Sequence, residues 1–243
     1  MKKALALAAS DARQVVRDPM MLFMAGAPLL LVLLFSTVVP FGLKLLSAKT
    51  GWGVEAYYPF AACAVLLLIP GLPGTMAGFL MLDERDEGLL QVYGITPIAR
   101  SGYFVYRLTI PVALMACYGC LTVLVAGGAA DDGFVWPALA CAVLMATMQG
   151  VITALFLAGF ASNKVEGLAL SKLAALPVLA PLMLLLPETW QAAGWAFPAY
   201  WVAKTMSLAL SDESRALWYG LIGLAVHAGW CFLFFKHFSK KSG

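Results

Sequence analysis

Long apolar stretches separated by short polar breaks dominate this chain. Six of them, at about 20–46, 57–82, 103–127, 135–161, 168–187 and 216–236, are long enough to cross a membrane, which takes about 20 residues of helix. Several run past that minimum, which allows tilt or extension beyond the hydrocarbon. The pattern predicts an all-α integral membrane protein with six transmembrane helices. Prolines interrupt the spans at Pro28, Pro40, Pro70, Pro73, Pro177 and Pro181. Membrane helices tolerate them where neighbouring groups satisfy the freed backbone. The most broken stretch is Pro70-Gly-Leu-Pro73-Gly in the second span. It fits a kink that shapes packing, or the wall or hinge of a cavity.

The segments between spans carry patterns of their own. Leu5, Ala8, Ala9, Ala12, Val15 and Val16 fall at helical spacing, flanked by Lys2, Arg13 and Arg17. That predicts a helix lying on the membrane surface. Asp18 then caps the first span, with Pro19 at its first position. The chain reads as one membrane domain: interfacial helix 1–18, six-span bundle 19–236 and basic tail 237–243. Between spans five and six, "PETWQAAGWAFPAYWVAKTM" is too short and too aromatic for another span. It suits an outer re-entrant segment of short helices around Trp195, Pro198 and Trp201, which is permitted where protein or a cavity covers it. A loop lying at the interface is the competing account. Between spans four and five, "SNKVEGLALSK" reads as a short polar turn holding Asn163, Lys164 and Glu166. No internal repeat is obvious between the first three spans and the last three, which argues against a carrier built from inverted halves.

Charge sets the expected orientation. With both termini on one side, that side holds twelve of the sixteen Lys and Arg residues, and the other holds Lys44, Lys49, Lys204 and Arg215. The positive-inside rule then places both termini in the cytoplasm. The tryptophans agree, because all but Trp230 fall near the expected outer interface, where amphipathic rings settle. Composition supports the membrane reading: 62% of residues are hydrophobic, 12% are charged, and the mean hydropathy is +0.87. A soluble domain is about 45–50% apolar. The net charge of +3, with no basic cluster interleaved with aromatics, gives no reason to expect nucleic acid as a partner; membrane lipid is the expected surroundings. The start, "MKKALALAAS", imitates a secretory signal, but its apolar run is short and "DARQVVRDP" follows, so it reads as retained. The five cysteines lie in apolar spans and imply no disulfide framework; Cys117 and Cys120 lack the further ligands of a metal site.

Catalytic residues are not expected. The chain has no H-E-x-x-H, no G-x-S-x-G and no phosphate-binding G-x-x-x-x-G-K-[ST]. Strongly polar groups near mid-span are candidates for a substrate path: Gln149 and Thr153 in span four and His227 in span six, with Pro70 and Pro73 as a cavity wall. Interhelical hydrogen bonding is the other account of these polar groups. No Asp, Glu, Lys or Arg lies near the middle of a span, whereas ion-coupled carriers keep such a residue in their pathway. Energy for uphill movement must then enter from elsewhere, through a separate ATPase subunit.

The charge that is missing from the spans concentrates in "DERDEGLLQVYGITP", residues 83–97. Each charge at mid-bilayer costs about 2.5–3.5 kcal/mol, and five together on the order of 15, so the run lies outside the hydrocarbon. After Gly88, the residues Leu89, Leu90, Val92 and Tyr93 place apolar groups at helical spacing, and Gly94 ends the piece. Thr96 can cap a new helix with Pro97 first in it. The whole reads as a short helix offering an apolar face to a partner, with charges fixing register. Consecutive acids point in different directions around a helix, which makes a metal site there a poor fit.

"DERDEGLLQVYGITPIARSGYFVYRL" resembles the first cytoplasmic loop of the type-2 ABC exporter permeases. The matching positions are Glu84, Arg85, Gly88, Leu90, Thr96, Pro97 and Ile98. Six spans, a surface helix ending in "RDP" and an outer segment with "FPAYW" extend the resemblance over nearly the whole chain, and "LDERDEG" with "NKVEGLALSK" resembles the bacterial fluoroquinolone-export permease subgroup. The resemblance implies a half-transporter in the inner membrane of a bacterium. Two permeases, copies or similar paralogues, would pair above two ABC ATPase subunits that bind ATP and Mg, and this chain would hold no cofactor. Residues 84–93 would be the coupling helix, with Glu84, Arg85, Glu87, Gly88, Leu90, Tyr93, Thr96 and Pro97 as its marks. Asn163, Lys164 and Glu166 would form a second, smaller contact. The cargo would be a small amphiphilic molecule such as a fluoroquinolone. Two other readings stay open: a secondary carrier without an ATPase, for which His227 is the candidate coupling group, and a haem-handling membrane subunit of cytochrome maturation.

Overall fold

The computed structural model describes residues 15–88, 99–128 and 135–241, and every element among them is helical. Helix α1 (Pro19–Thr50) begins where the Asp18 carboxylate accepts from the N–H groups of Met20 at 2.9 Å and Met21 at 3.2 Å. Pro19 sits at the first position, where a missing donor costs nothing. Gly51, with φ at 71°, ends the helix in the left-handed conformation. A 3-10 turn (Val54–Tyr57) leads into α2 (Tyr58–Asp86). Then come α3 (Ala99–Gly128), α4 (Trp136–Phe160) and α5 (Lys164–Ala174). At the start of α5, the Asn163 side chain accepts from the Glu166 N–H at 2.9 Å, while the Glu166 carboxylate accepts from the Ser162 N–H at 2.7 Å. This is a capping-box arrangement that satisfies two otherwise orphaned donors. Of the predicted interfacial helix 1–18, residues 15–17 are helical, Asp18 caps α1, and 1–14 lie outside the described residues. So do Leu90, Tyr93, Thr96 and Pro97 of the predicted coupling element.

Six segments are long and apolar enough to cross a membrane. Spans two and four are the hub: 78% and 72% of their apolar windows are buried, against 6–28% for the others. The outer four turn apolar faces outward, as a chain solvated by lipid does. The hub is tight because α2 and α4 cross backbone to backbone. A Cβ on Gly74 would overlap the carbonyl oxygen of Gly150, and one on Gly150 would lie 2.7 Å from the Pro70 oxygen. The Pro70–Gly74 stretch is thus where the two central helices meet.

The fifth span is not one continuous α-helix. α5 gives way after Ala174 to a 3-10 segment, Leu176–Leu185, in which Pro177 and Pro181 withhold their N–H groups from an α-helical ladder. With three residues per turn, positions three apart eclipse. Leu176, Leu179, Leu182 and Leu185 therefore share one face, each more than half exposed. Pro177, Ala180 and Met183 are less exposed and pack towards the bundle, and Leu176 and Leu179 border the same cavity from the rim.

The chain then continues through α6 (Glu188–Gln191), a 3-10 turn (Ala192–Ala196) and α7 (Pro198–Leu210), before α8 (Ala216–Lys241) completes the bundle. α7 runs antiparallel to α4. Near its end, Ala209 accepts from the Val135 N–H at 3.1 Å. Lower down, Gly220 of α8 packs between Cys141 and Thr205, and Gly223 packs against Met145 and Trp201. At its start, Pro198 and Ala199 share a cavity with Gln149, thirteen residues after the start of α4 and eleven before its end. α7 thus begins at mid-depth. Trp230 donates to the Ala196 carbonyl at 3.1 Å and Trp201 to the Trp195 carbonyl at 2.8 Å. Trp201 packs beside Gly223, its ring 6.0 Å from that of Tyr219, whereas Trp230 meets the Ala196 carbonyl about two turns further along α8.

Candidate functional site

Two features stand out: a groove at mid-depth, and a web of charges at the end of the bundle that carries Asp18, Asp83–Gly88 and Lys164. The groove lies between the hub and the fifth span. A cavity of about 150 Å³ is lined by Gly71, Leu72, Thr75, Gln149, Thr153 and Ser171 among others. A second, of about 330 Å³, continues from Gln149 past Pro177, Ala180 and Met183 to Phe197, Pro198 and Ala199. Gln149 and Pro177 line both. The lining is apolar apart from a few hydroxyls at one end and the Gln149 carboxamide in the middle.

Helical periodicity explains how these groups come together. Gln149 and Thr153 are one turn apart on α4, so both face the groove. The Thr153 hydroxyl donates back to the Gln149 carbonyl at 3.1 Å, and Thr75 does the same to Gly71 at 2.8 Å. Both hydroxyls are satisfied within their own helices. Gln149 is not: it is 7% exposed, and its Oε1 is buried with no hydrogen-bond partner among the described residues. Pro70 and Pro73 do not line the groove, but Gly71 and Leu72 between them do. His227 lines neither cavity. It is fully buried on α8, with Nδ1 2.8 Å from the Gly223 carbonyl oxygen. Of the outer segment, Pro198 reaches the groove, Trp201 packs in the core at 6% exposure, and Trp195 is exposed. Sequence reasoning missed Pro177, Ser171 and Phe197 as lining residues. The leucine period of three around Pro177 and Pro181 was the available signal.

At the charged end, the run Asp83–Glu87 divides. Asp83 binds Lys164 Nζ at 3.0 Å, and the same ammonium reaches Asp18 at 3.4 Å. Glu84 pairs with Arg107 at 3.0 Å, the two side chains 11% and 2% exposed. Arg85 donates to the carbonyls of Ala158 at 3.0 Å and Ala161 at 2.8 Å, satisfying acceptors that the end of α4 leaves orphaned. Asp86 and Glu87 are exposed, and Gly88 turns the chain with φ at 73°. The end of α2 is therefore tied to α1, α3, α4 and α5 at once. Burial alone would raise the Asp18 carboxyl, but the N–H groups of Met21 and Met20 and the Lys164 charge outweigh it and hold the pKa below the usual 3.8.

The sequence matches a family described as "Fluoroquinolones export permease protein Rv2686c-like" over residues 11–235. Two similar proteins are the fluoroquinolones export permease proteins Rv2686c and MT2760 of Mycobacterium tuberculosis, strains ATCC 25618 / H37Rv and CDC 1551 / Oshkosh. Each is 29% identical over 224 residues, covering 90% of this chain and 86% of the relative. No solved structure matches.

Proposed function

Because the chain belongs to this family of fluoroquinolone export permeases, we propose that it is the membrane subunit of an ATP-driven exporter. It moves a small amphiphile such as a fluoroquinolone out of a bacterium. ATP and Mg bind a separate ABC ATPase subunit, and the charged end faces the cytoplasm, in line with the Lys and Arg distribution. The observation that carries this reading is the separation of charge from groove. Gln149 is the strongest polar group lining the groove, while the buried ion pair Glu84–Arg107 and the Lys164 bridges gather at one end.

The arrangement suits transmission. Asp86, Glu87, Gly88 and the residues that follow to Tyr93 form the element the ATPase grips. Asn163, Lys164 and Glu166 add a smaller contact beside it. A displacement there passes through Glu84 to α3, through Arg85 to α4, and through Asp83 and Lys164 to α5, which leads into the wall of the groove. The segment from Glu188 to Leu210 acts as the re-entrant element covering the groove's outer end. A second permease, a copy or a close paralogue, packs on the exposed leucine stripe of the fifth span. Co-purification in mild detergent tests the assignment. The expected outcome is a stoichiometric soluble chain bearing a phosphate-binding loop, whose ATP hydrolysis falls when Glu87→Lys weakens the contact. Gradient-driven transport by this chain alone would overturn it.

A further inference from the structure

α7 begins inside the bundle, and its start is bare. Pro198 has no N–H to offer, and Phe197 at the cap position makes no side-chain hydrogen bond to the helix. The Tyr200 N–H donates to the Phe197 carbonyl at 3.2 Å, which leaves the Ala199 N–H as the first-turn donor without a carbonyl to bond. No acidic side chain lies in the first turn, so nothing on the helix itself neutralises the positive end of its dipole, roughly half an elementary charge. This end opens into the cavity of about 330 Å³ that Phe197, Pro198 and Ala199 line together with Gln149. Gln149 is the only side chain in that lining able to make strong hydrogen bonds. It is more than nine-tenths buried, and its Oε1 lacks a partner.

A helix start, which favours an acceptor, and a buried carboxamide, which can present its N–H₂ group, meet here in an apolar cavity at mid-depth. We propose that the start of α7 and the Gln149 side chain form a seat for the carboxylate of an otherwise apolar substrate. The Ala199 N–H and the helix dipole meet the anion. Rotating the terminal amide by half a turn exchanges Oε1 for the N–H₂ group, which then donates to the second carboxylate oxygen. Broken helices that aim their N-termini at anionic groups near the membrane midplane use the same physics. The low dielectric strengthens each of these contacts relative to water. The apolar walls, Ala180 and Met183 among them, take the ring or chain that carries the acid. This inference rests on the exporter reading for the word substrate; the seat itself is a property of this chain alone.

The test is direct binding to the purified full chain in lipid nanodiscs, without ATPase or nucleotide. The probes are flumequine, a fluoroquinolone with a carboxylate and no basic amine, and its methyl ester, followed by their own fluorescence. The acid is expected to bind at least tenfold more tightly than the ester. Gln149→Glu, which puts a like charge in the seat, and Ala199→Pro, which removes the N–H at a first-turn position where proline is accepted, should each erase the preference while ester binding persists. Ester binding in the variants shows that they are folded. Equal binding of acid and ester by the unaltered chain overturns the seat, as does an acid preference that survives both substitutions, or no binding of either probe. Dodecanoate identifies the source of the acid: tighter binding than flumequine assigns the seat to fatty acids, weaker binding to ring-bearing drugs, and either result retains the carboxylate. The exporter reading fails on separate grounds, by loss of ATP-dependent efflux.

Discussion

Gly74→Ala adds one methyl group at the point where α2 and α4 touch. The new Cβ would overlap the Gly150 carbonyl oxygen, with the carbonyl carbon at 3.0 Å and Cα at 3.1 Å. All three are backbone atoms, so no side chain can swing aside, and the hub helices must separate. Overpacking of this kind costs about 1–3 kcal/mol. For a chain of this length, 1 kcal/mol moves the melting midpoint by roughly 2–4 °C, so a fall of a few to about ten degrees is expected. Gly71→Ala, three residues earlier in the same helix, is the control. Its Cβ would meet nothing within 4 Å, and alanine is a better helix former by up to about 1 kcal/mol. That variant should melt at or above the unaltered protein. Thiol labelling in detergent provides the assay, because Cys63 is wholly buried and Cys141 is 9% exposed, and both become reactive on unfolding. Serine at the exposed Cys117 and Cys120 and at the partly exposed Cys231 removes the background. Equal melting of the two alanine variants would refute the backbone crossing.

Glu84→Ala leaves Arg107 buried without its carboxylate; losing one partner of a buried pair costs about 3–5 kcal/mol, and the drop should show as a lower melting midpoint that the double variant Glu84→Leu with Arg107→Met largely restores. Asp18→Ala removes the N-cap of α1 and should cost about 1 kcal/mol. Because the folded Asp18 pKa lies below 3.8, its contribution is present in full above that value and is lost as pH falls through the folded pKa; an acid melting series on Asp18→Asn should lack that component. Cysteines at Leu179 and Leu182, in a chain otherwise free of cysteine, should cross-link two copies in membranes if this stripe receives a second identical permease, and monomers alone would show that the partner is a different chain or a different face.

The spans were legible because apolar runs of this length have one solvent available to them, and the start of α1 because Asp18 and Pro19 carry local capping chemistry. The 3-10 segment was half legible. Pro177, Pro181 and the leucines three apart encode it, but hydropathy counts only how apolar a stretch is, not its period. The depth of α7 was hidden, since ten of its thirteen residues are buried by neighbours that are far away in sequence. The aromatic residues of "FPAYW" look the same at an interface and inside a bundle. The acidic run misled in a specific way. Sequence reading placed Asp83–Glu87 outside the hydrocarbon as one run with its charges turned to a partner subunit, whereas Asp83, Glu84 and Arg85 meet partners within this chain at Lys164, Arg107 and the end of α4. Those partners lie 81, 23 and 73 residues away, and no local pattern announces them. Gln149 was legible as a polar residue at mid-span; that it faces a cavity, and that His227 does not, depends on packing.

The central claim is that this chain moves an amphiphile on energy supplied by another subunit. Inside-out vesicles carrying the chain and its co-purified ATPase, loaded with a fluorescent fluoroquinolone outside, measure it directly. The account predicts accumulation of the drug in the vesicle lumen on adding ATP and Mg. That accumulation should be absent with a non-hydrolysable analogue, insensitive to uncouplers, and lost when Glu87→Lys breaks the contact while the chain still inserts. Accumulation driven by a proton or sodium gradient, with no ATPase present, would contradict it.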